Sequence, residues 1–268
     1  MFENYCANLR FNYRCVIILF ITLLPLNNNL TAKENTLVLE AITEDAYTLS
    51  YQTDEGEIGG YSVELFKAVM ADAKLEYELK VVPWARTYRR VQNEKNIIVF
   101  PMAWTKERAS KFKWVGEITP VNYTLYCLTK DLPSEPMSLA QLKKQTIAVP
   151  RSDIRAEHLK KNQFTNLILT TGNAQLTNLI KRGRISYFLS SKIGLNQLIS
   201  QNNMKPSDFT RVYSFKDLQT RLYFVLSLQT DDEIYNKISA SYKNIVQNGT
   251  YEKIMSPLFK LLQHNSHM

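Results

Sequence analysis

Three histidines (His158, His264, His267) and three cysteines (Cys6, Cys15, Cys127) limit the metal and nucleophile chemistry open to this chain. No Cys-x-x-Cys occurs and no histidine pair precedes the tail, so no zinc site of recognisable spacing is present. His264 and His267 fall in the last five residues, where disorder is the default. A Ser-His-Asp triad could draw only on His158, and no Gly-x-Ser-x-Gly elbow accompanies it. Lys+Arg 33 against Asp+Glu 25 gives a net charge of +8, which raises the question of nucleic acid. The basic residues come at most as adjacent pairs with acids interspersed, so the reading is a solvated basic surface and no nucleic-acid partner. All three tryptophans fall between positions 84 and 114, the pattern of an aromatic wall or of core beneath one.

The N-terminus reads as a targeting segment. Arg10 and Arg14 precede an apolar run from Val16 to Leu26, which as a helix reaches only roughly 16 Å, about half a bilayer core. A positive flank, a short apolar stretch and small residues at Leu30-Thr31-Ala32 describe a cleavable signal peptide over 1–32. Cys6 and Cys15 lie before the apolar run, so no lipid-acceptor cysteine follows it. The mature chain then carries one thiol, Cys127, and no intramolecular disulfide. It is expected to be a soluble, monomeric periplasmic protein with no stable membrane insertion.

The elements that must position any site alternate between strands and helices. Leu37–Ile42 is an apolar strand, followed by a loop punctuated by Gly56, Gly59 and Gly60. Leu65, Phe66, Val69, Met70 and Ala73 recur at helical spacing between Ser62 and Ala73. Glu76–Val82 alternates as a strand, Pro83 can open a helix, and Ile97–Phe100 is a buried strand stopped by Pro101. A second series has strands at 122–129, 146–149, 167–170, 185–189 and 222–228, with helices at 139–144, 154–161, 173–181 and 192–201. The final helix starts at Asp231 and closes at Gly249. Strands alternating with helices twice over argue for an α/β protein with two sheets.

Five motifs then occur in order at fitting separations: Gly60-Tyr61-Ser62-Val63-Glu64-Leu65, Pro83-Trp84-x-Arg86, Trp104-Thr105-Lys106-Glu107-Arg108, Gly183-Arg184-Ile185 and Asn248-Gly249-Thr250-Tyr251. Together they resemble the bacterial extracellular solute-binding proteins of family 3, the amino-acid-type periplasmic binding proteins, over about residues 36–258. The resemblance implies a two-lobed α/β type II periplasmic binding fold, a Venus flytrap with two crossover strands. Lobe one would be 33–121 plus 229–268 and lobe two 122–228, with hinges near Pro120–Tyr123 and Leu226–Gln229. It implies neither cofactor nor metal. Ligand would be captured by closure of the lobes and presented to the permease of an ABC transporter.

The resemblance also assigns residues. Arg108 aligns with the family's carboxylate-binding arginine, whose planar guanidinium matches a carboxylate with paired donors. Thr105, Met102 and Ala103 should line the same wall, with Trp104 in the cleft and Trp84 and Arg86 flanking it. Glu44, Tyr47 and Tyr51 lie in the loop where the family contributes an aromatic lid. Arg151 and Ser152 sit in the strand-to-helix turn whose N–H groups hold the ligand's anionic end. The departure is Ser191, eight residues past Gly183, where relatives place the aspartate that pairs with an α-ammonium. Serine supplies no charge there, which argues against an ordinary α-amino acid unless Glu44 compensates from the opposite lobe.

The expected function is a non-catalytic, periplasmic solute-binding protein for a small polar ligand bearing a carboxylate. A cyclohexadienyl-dehydratase-like enzyme on the same fold would need Glu44, Glu64 or Glu117 as general acid or base. A sensory protein presenting its ligand to a receptor would share every residue.

Overall fold

A computed structural model describes residues 38–264 of the chain. The signal peptide read over 1–32, with Cys6 and Cys15, lies outside the described residues, as does His267.

The first series of elements is β1 (Leu39–Thr43), a small hairpin of β2 (Tyr51–Gln52) and β3 (Ile58–Gly59), α1 (Tyr61–Ala73), β4 (Tyr77–Val81), α2 (Trp84–Asn93) and β5 (Ile97–Ala103). A long strand follows, β6 (Phe112–Leu128), then α3 (Leu139–Leu142), β7 (Ile147–Pro150), α4 (Ile154–Lys161), β8 (Leu167–Thr170), α5 (Asn173–Lys181), β9 (Tyr187–Ser191) and α6 (Lys192–Gln201). A second long strand, β10 (Phe209–Ser227), leads to the terminal helices α7 (Asp232–Gln247) and α8 (Thr250–His264).

The strand order is β4-β1-β5-β10-β6-β9-β7-β8. Two parallel groups, β4-β1-β5 and β9-β7-β8, flank an antiparallel pair, β10 and β6, that runs through both. Each parallel group carries its own helices, which gives two lobes joined by two crossover strands. Strands buried on both faces need continuous apolar sequence, and β5 is buried along its whole length. Phe66 of α1 stacks on Phe100 of β5 at 4.7 Å and meets Tyr77 edge-on at 4.8 Å, fixing α1 over the first group. Helices α7 and α8 both pack against α1.

Three expectations are corrected by the register. Pro101 does not stop β5, which runs on to Ala103; the proline sits where the β5–β10 pairing shifts register, between Val99↔Val225 and Met102↔Tyr223, so no ladder hydrogen bond is lost. The strands read at 122–129 and 222–228 are the ends of much longer ones, β6 and β10. Gln219 pairs with Asn122 and Arg221 with Pro120, so β10 passes between the lobes at Gln219–Arg221, upstream of the expected Leu226–Gln229. Leu222–Leu226 pair instead with β5. Past Gly249 a further helix, α8, was not legible, because Pro257 interrupts its pattern; Met255 and Leu258 nevertheless bury completely.

Cys127 is a free, buried thiol on β6. Among the described residues no helix is long and apolar enough to cross a membrane, and no cluster of His, Cys, Asp or Glu could hold a metal ion.

Gly116 of β6 shows how tightly α7 seats on the crossover strands. A Cβ there would stand 2.4 Å from the Tyr242 ring, whose hydroxyl donates to the Glu117 carbonyl at 2.5 Å. Gly116→Ala is expected to cost roughly 1–3 kcal/mol of unfolding free energy through overpacking. Urea unfolding of the variant beside the wild type checks it, with the midpoint falling at unchanged slope.

Candidate functional site

The loop after β1 supplies one wall of the cleft. It is held from below by α1: Tyr61 and Ser62 donate their N–H groups to the Thr48 and Leu49 carbonyls at 3.0 and 2.9 Å, and Ser62 Oγ donates to Leu49 at 2.5 Å. Gly60 opens α1 with φ +119, and any Cβ there would strike the Leu49 carbonyl at 2.4 Å. Within the loop Tyr47 adopts φ 62, a left-handed conformation disfavoured for an aromatic residue. Its ring is thereby carried to α6 of the other lobe, where a Cβ on Gly194 would lie 3.0 Å from it.

Arg108 comes from the turns joining β5 to β6. Thr105 Oγ1 accepts from the Arg108 N–H at 3.2 Å, which fixes the turn. The side chain is only 2% exposed. Its guanidinium rests against the adjoining Trp84 and Tyr88 rings, 5.5 and 4.7 Å from their centroids. Nη2 reaches across the cleft to Glu157 Oε1 at 3.1 Å and the Ser152 carbonyl at 3.4 Å, while Nε is buried without a partner. Trp84 Nε1 donates to the same Ser152 carbonyl at 2.7 Å. Ser152 has φ 59, which turns its carbonyl toward the first lobe.

Lobe two answers with a carboxylate–guanidinium pair. Asp153 caps α4, accepting from the Arg155 N–H at 2.8 Å, and also takes Arg155 Nε at 2.7 Å and Nη2 at 3.0 Å. The Arg155 guanidinium lies 5.1 Å from the Tyr123 ring. Asn173, at the start of α5, donates Nδ2 to the Asp45 carbonyl at 2.9 Å, a further bond between the lobes. These groups and Glu44 surround a cavity of about 60 Å3 between the lobes.

The electrostatics follow from burial with incomplete pairing. Loss of solvent and then the charge of Asp153 push the Glu44 carboxyl up to about 8, against the pull of Arg155. Burial works against the charge on Asp153 as well, yet the Arg155 guanidinium holds it below the ordinary carboxylate range. The two carboxylates therefore differ by their partners: Asp153 has a bidentate cation, and Glu44 makes no ion pair among the described residues.

Of the residues singled out from the sequence, Glu44, Tyr47, Trp84, Ala103, Arg108 and Ser191 line the cavity. Met102 does not: alternation along β5 turns it away, into a cluster with Ile42 and Val99. Trp104 is 42% exposed and shares an outer groove with Thr105 and His158. Arg86, Arg151 and Tyr51 are exposed. Ser152 takes part through its carbonyl, its own side chain facing solvent. The anion seat expected at the start of α4 is partly taken, since the Arg151 N–H donates to Thr170 and the Arg155 N–H to Asp153. Ser191 Oγ accepts from the Gly194 N–H at 3.1 Å as the cap of α6. Among the acids an elimination would need, Glu64 is exposed and pairs with Lys67, and Glu117 pairs with Arg221.

Sequence reasoning missed Asp153, Arg155, Asn173 and Glu157. Asp before an apolar-periodic helix is a readable cap. Nothing local marks Arg155, Asn173 or Glu157, which matter only because lobe one faces them.

Comparison with known proteins agrees with this architecture. The sequence profile of the bacterial extracellular solute-binding proteins, family 3, matches residues 39–260. The chain is 21% identical over 236 residues to the L-cystine-binding protein TcyJ of Bacillus subtilis, covering 85% of each. It is 23% identical over 224 residues to a probable amino-acid ABC transporter-binding protein of Haemophilus influenzae, covering 82% of this chain and 84% of that one. Among solved structures it is similar to the arginine-, lysine-, histidine-binding protein ArtJ of Geobacillus stearothermophilus, with a TM-score of 0.71 at 18% identity over 84% of this chain and 96% of that one. That likeness speaks to the fold, the type II periplasmic binding architecture, and the profile match over most of the sequence makes this chain a member of the bacterial extracellular solute-binding proteins, family 3.

Proposed function

We propose that the protein captures an amino-acid-type solute bearing a carboxylate between its two lobes and passes it to an ABC transporter, after export to the periplasm. The carrying observation is Arg108: a guanidinium almost without solvent, packed against two adjoining rings, with a buried Nε that no protein acceptor satisfies. A buried donor left unpaired is costly, and a ligand carboxylate entering the cleft relieves it. The two curated relatives support the solute class and the transporter, since one binds L-cystine and the other is described as an amino-acid transporter-binding protein. The cross-lobe bonds of Trp84, Arg108 and Asn173 support capture by closure, because they exist only while the lobes meet.

Thermal-shift measurements on the mature protein against the twenty L-amino acids test this reading. A true ligand at a hundred times its dissociation constant adds about 2.7 kcal/mol of stability. Arg108→Ala is expected to leave a folded protein whose affinity for the best ligand falls more than a hundredfold, as removal of a buried charge partner costs about 3–5 kcal/mol. Unchanged affinity in calorimetry would overturn the role given to Arg108.

Glu44 gives a pH signature in the absence of ligand. Its folded pKa is raised above the ordinary value, so the folded state holds a proton that the unfolded chain has already released. The stability linked to this group is complete below the ordinary range and is lost as pH rises toward about 8. Glu44→Gln should therefore gain stability relative to wild type as pH rises from about 5 to 8.5 in urea unfolding. Parallel pH profiles for the two proteins would contradict it.

A further inference from the structure

Two buried polar atoms on the cleft lack partners, and they have opposite character. One is the donor Arg108 Nε, and the other is the acceptor Asn173 Oδ1. Asn173 is 7% exposed and lines the same cavity as Arg108. Its amide orientation is not arbitrary, because the Asp45 carbonyl can only accept and must face Nδ2, which leaves Oδ1 for whatever occupies the cleft. The bond to Asp45 also ties Asn173 to the residue next to Glu44, whose carboxylate lines the same cavity. The charged groups around Glu44 are Asp45 on its own loop, Arg108 after β5, and Asp153 with Arg155 on the β7–α4 turn. Asp153 and Arg155 neutralise one another through a bidentate pair and Glu157 engages Arg108 through Nη2 alone, so Glu44 is the acid lining the cavity without a cation, and its carboxyl, protonated in the empty cleft, ionises against an entering ammonium. Ser191, by contrast, already uses its hydroxyl to cap α6.

We infer that this chain holds the ligand's ammonium group with Asn173 Oδ1 and the Glu44 carboxylate, one from each lobe, in place of an acid at position 191. The inference rests on the amino-acid-type reading and refines it. The ligand is a zwitterion with a primary ammonium that can donate N–H bonds, and its carboxylate turns toward Arg108. Quaternary or acylated amines, which lack those donors, are excluded. An ammonium shared between Asn173 and Glu44 would also add to the closure bond already made to Asp45, so the same residue that latches the lobes reads the ligand.

The test compares the L-amino acid that gives the largest thermal shift with its desamino and N-acetyl counterparts, by calorimetry on wild type and variants. In wild type the amino acid should bind roughly ten- to a hundredfold more tightly than the desamino acid, the worth of a charge-assisted hydrogen bond. In Asn173→Leu and in Glu44→Gln that ratio should fall at least about fivefold. A residue acting only as a latch would weaken both ligands alike and leave the ratio unchanged, which would overturn the inference. Asn173→Ser is the substitute should Leu disturb α5. A ratio that holds in these variants but collapses in Ser191→Ala would place the ammonium at Ser191 instead. If none of the twenty amino acids binds, the function reading falls, and this inference with it; if one binds through Arg108 with an unaltered ratio in the variants, only this inference falls.

Discussion

A guanidinium removed from water must be surrounded by groups that replace its hydration, and Arg108 satisfies this condition only when the lobes meet. The Trp84 and Tyr88 rings belong to its own lobe, while the acceptors, Glu157 and the Ser152 carbonyl, belong to the other. Cation–π contact contributes about 0.5–2 kcal/mol per ring, short of the several kcal/mol that burying a charge costs. Closure supplies the acceptors for Nη2 and leaves Nε open. The Ser152 carbonyl is shared between Arg108 and Trp84, so the aromatic wall and the charge it supports engage lobe two together. Left-handed backbone at both Tyr47 and Ser152 aims these two faces at one another.

Around this contact the cleft is close to electrically balanced. Asp153 and Arg155 cancel as a rigid fork, and Glu157 answers Arg108. Glu44 is the group left over, which is why desolvation moves its proton equilibrium so far.

Much of this was legible in the sequence because it depends on local pattern. The helices at 154–161 and 173–181 and the strand at 167–170 lie where the residue pattern put them. Arg108 stood out through its motif and Ser191 through its departure from one. What pattern could not carry was the pairing of distant pieces. Met102 sits beside Ala103 yet faces the other side of β5, and only the sheet decides which of the two meets the cleft. Asn173, Arg155 and Glu157 read as ordinary helix residues, because their significance is conferred by lobe one across a gap of many tens of residues. Trp104 was the converse case: a tryptophan in the right motif whose strand end leaves it at the surface.

The pairing of β5 with the end of β10 has a consequence for how the chain is made. Residues Val99–Ala103 find their antiparallel partner only at Leu222–Val225, more than a hundred positions later. Until the end of β10 is available, the first group of strands has an apolar edge unpaired. The β7–α4–β8–α5–β9 run needs only neighbours close in sequence and can close early. The first-lobe group is therefore completed only by the C-terminal part of the chain: the end of β10 pairs with β5, and α7 and α8 pack on α1.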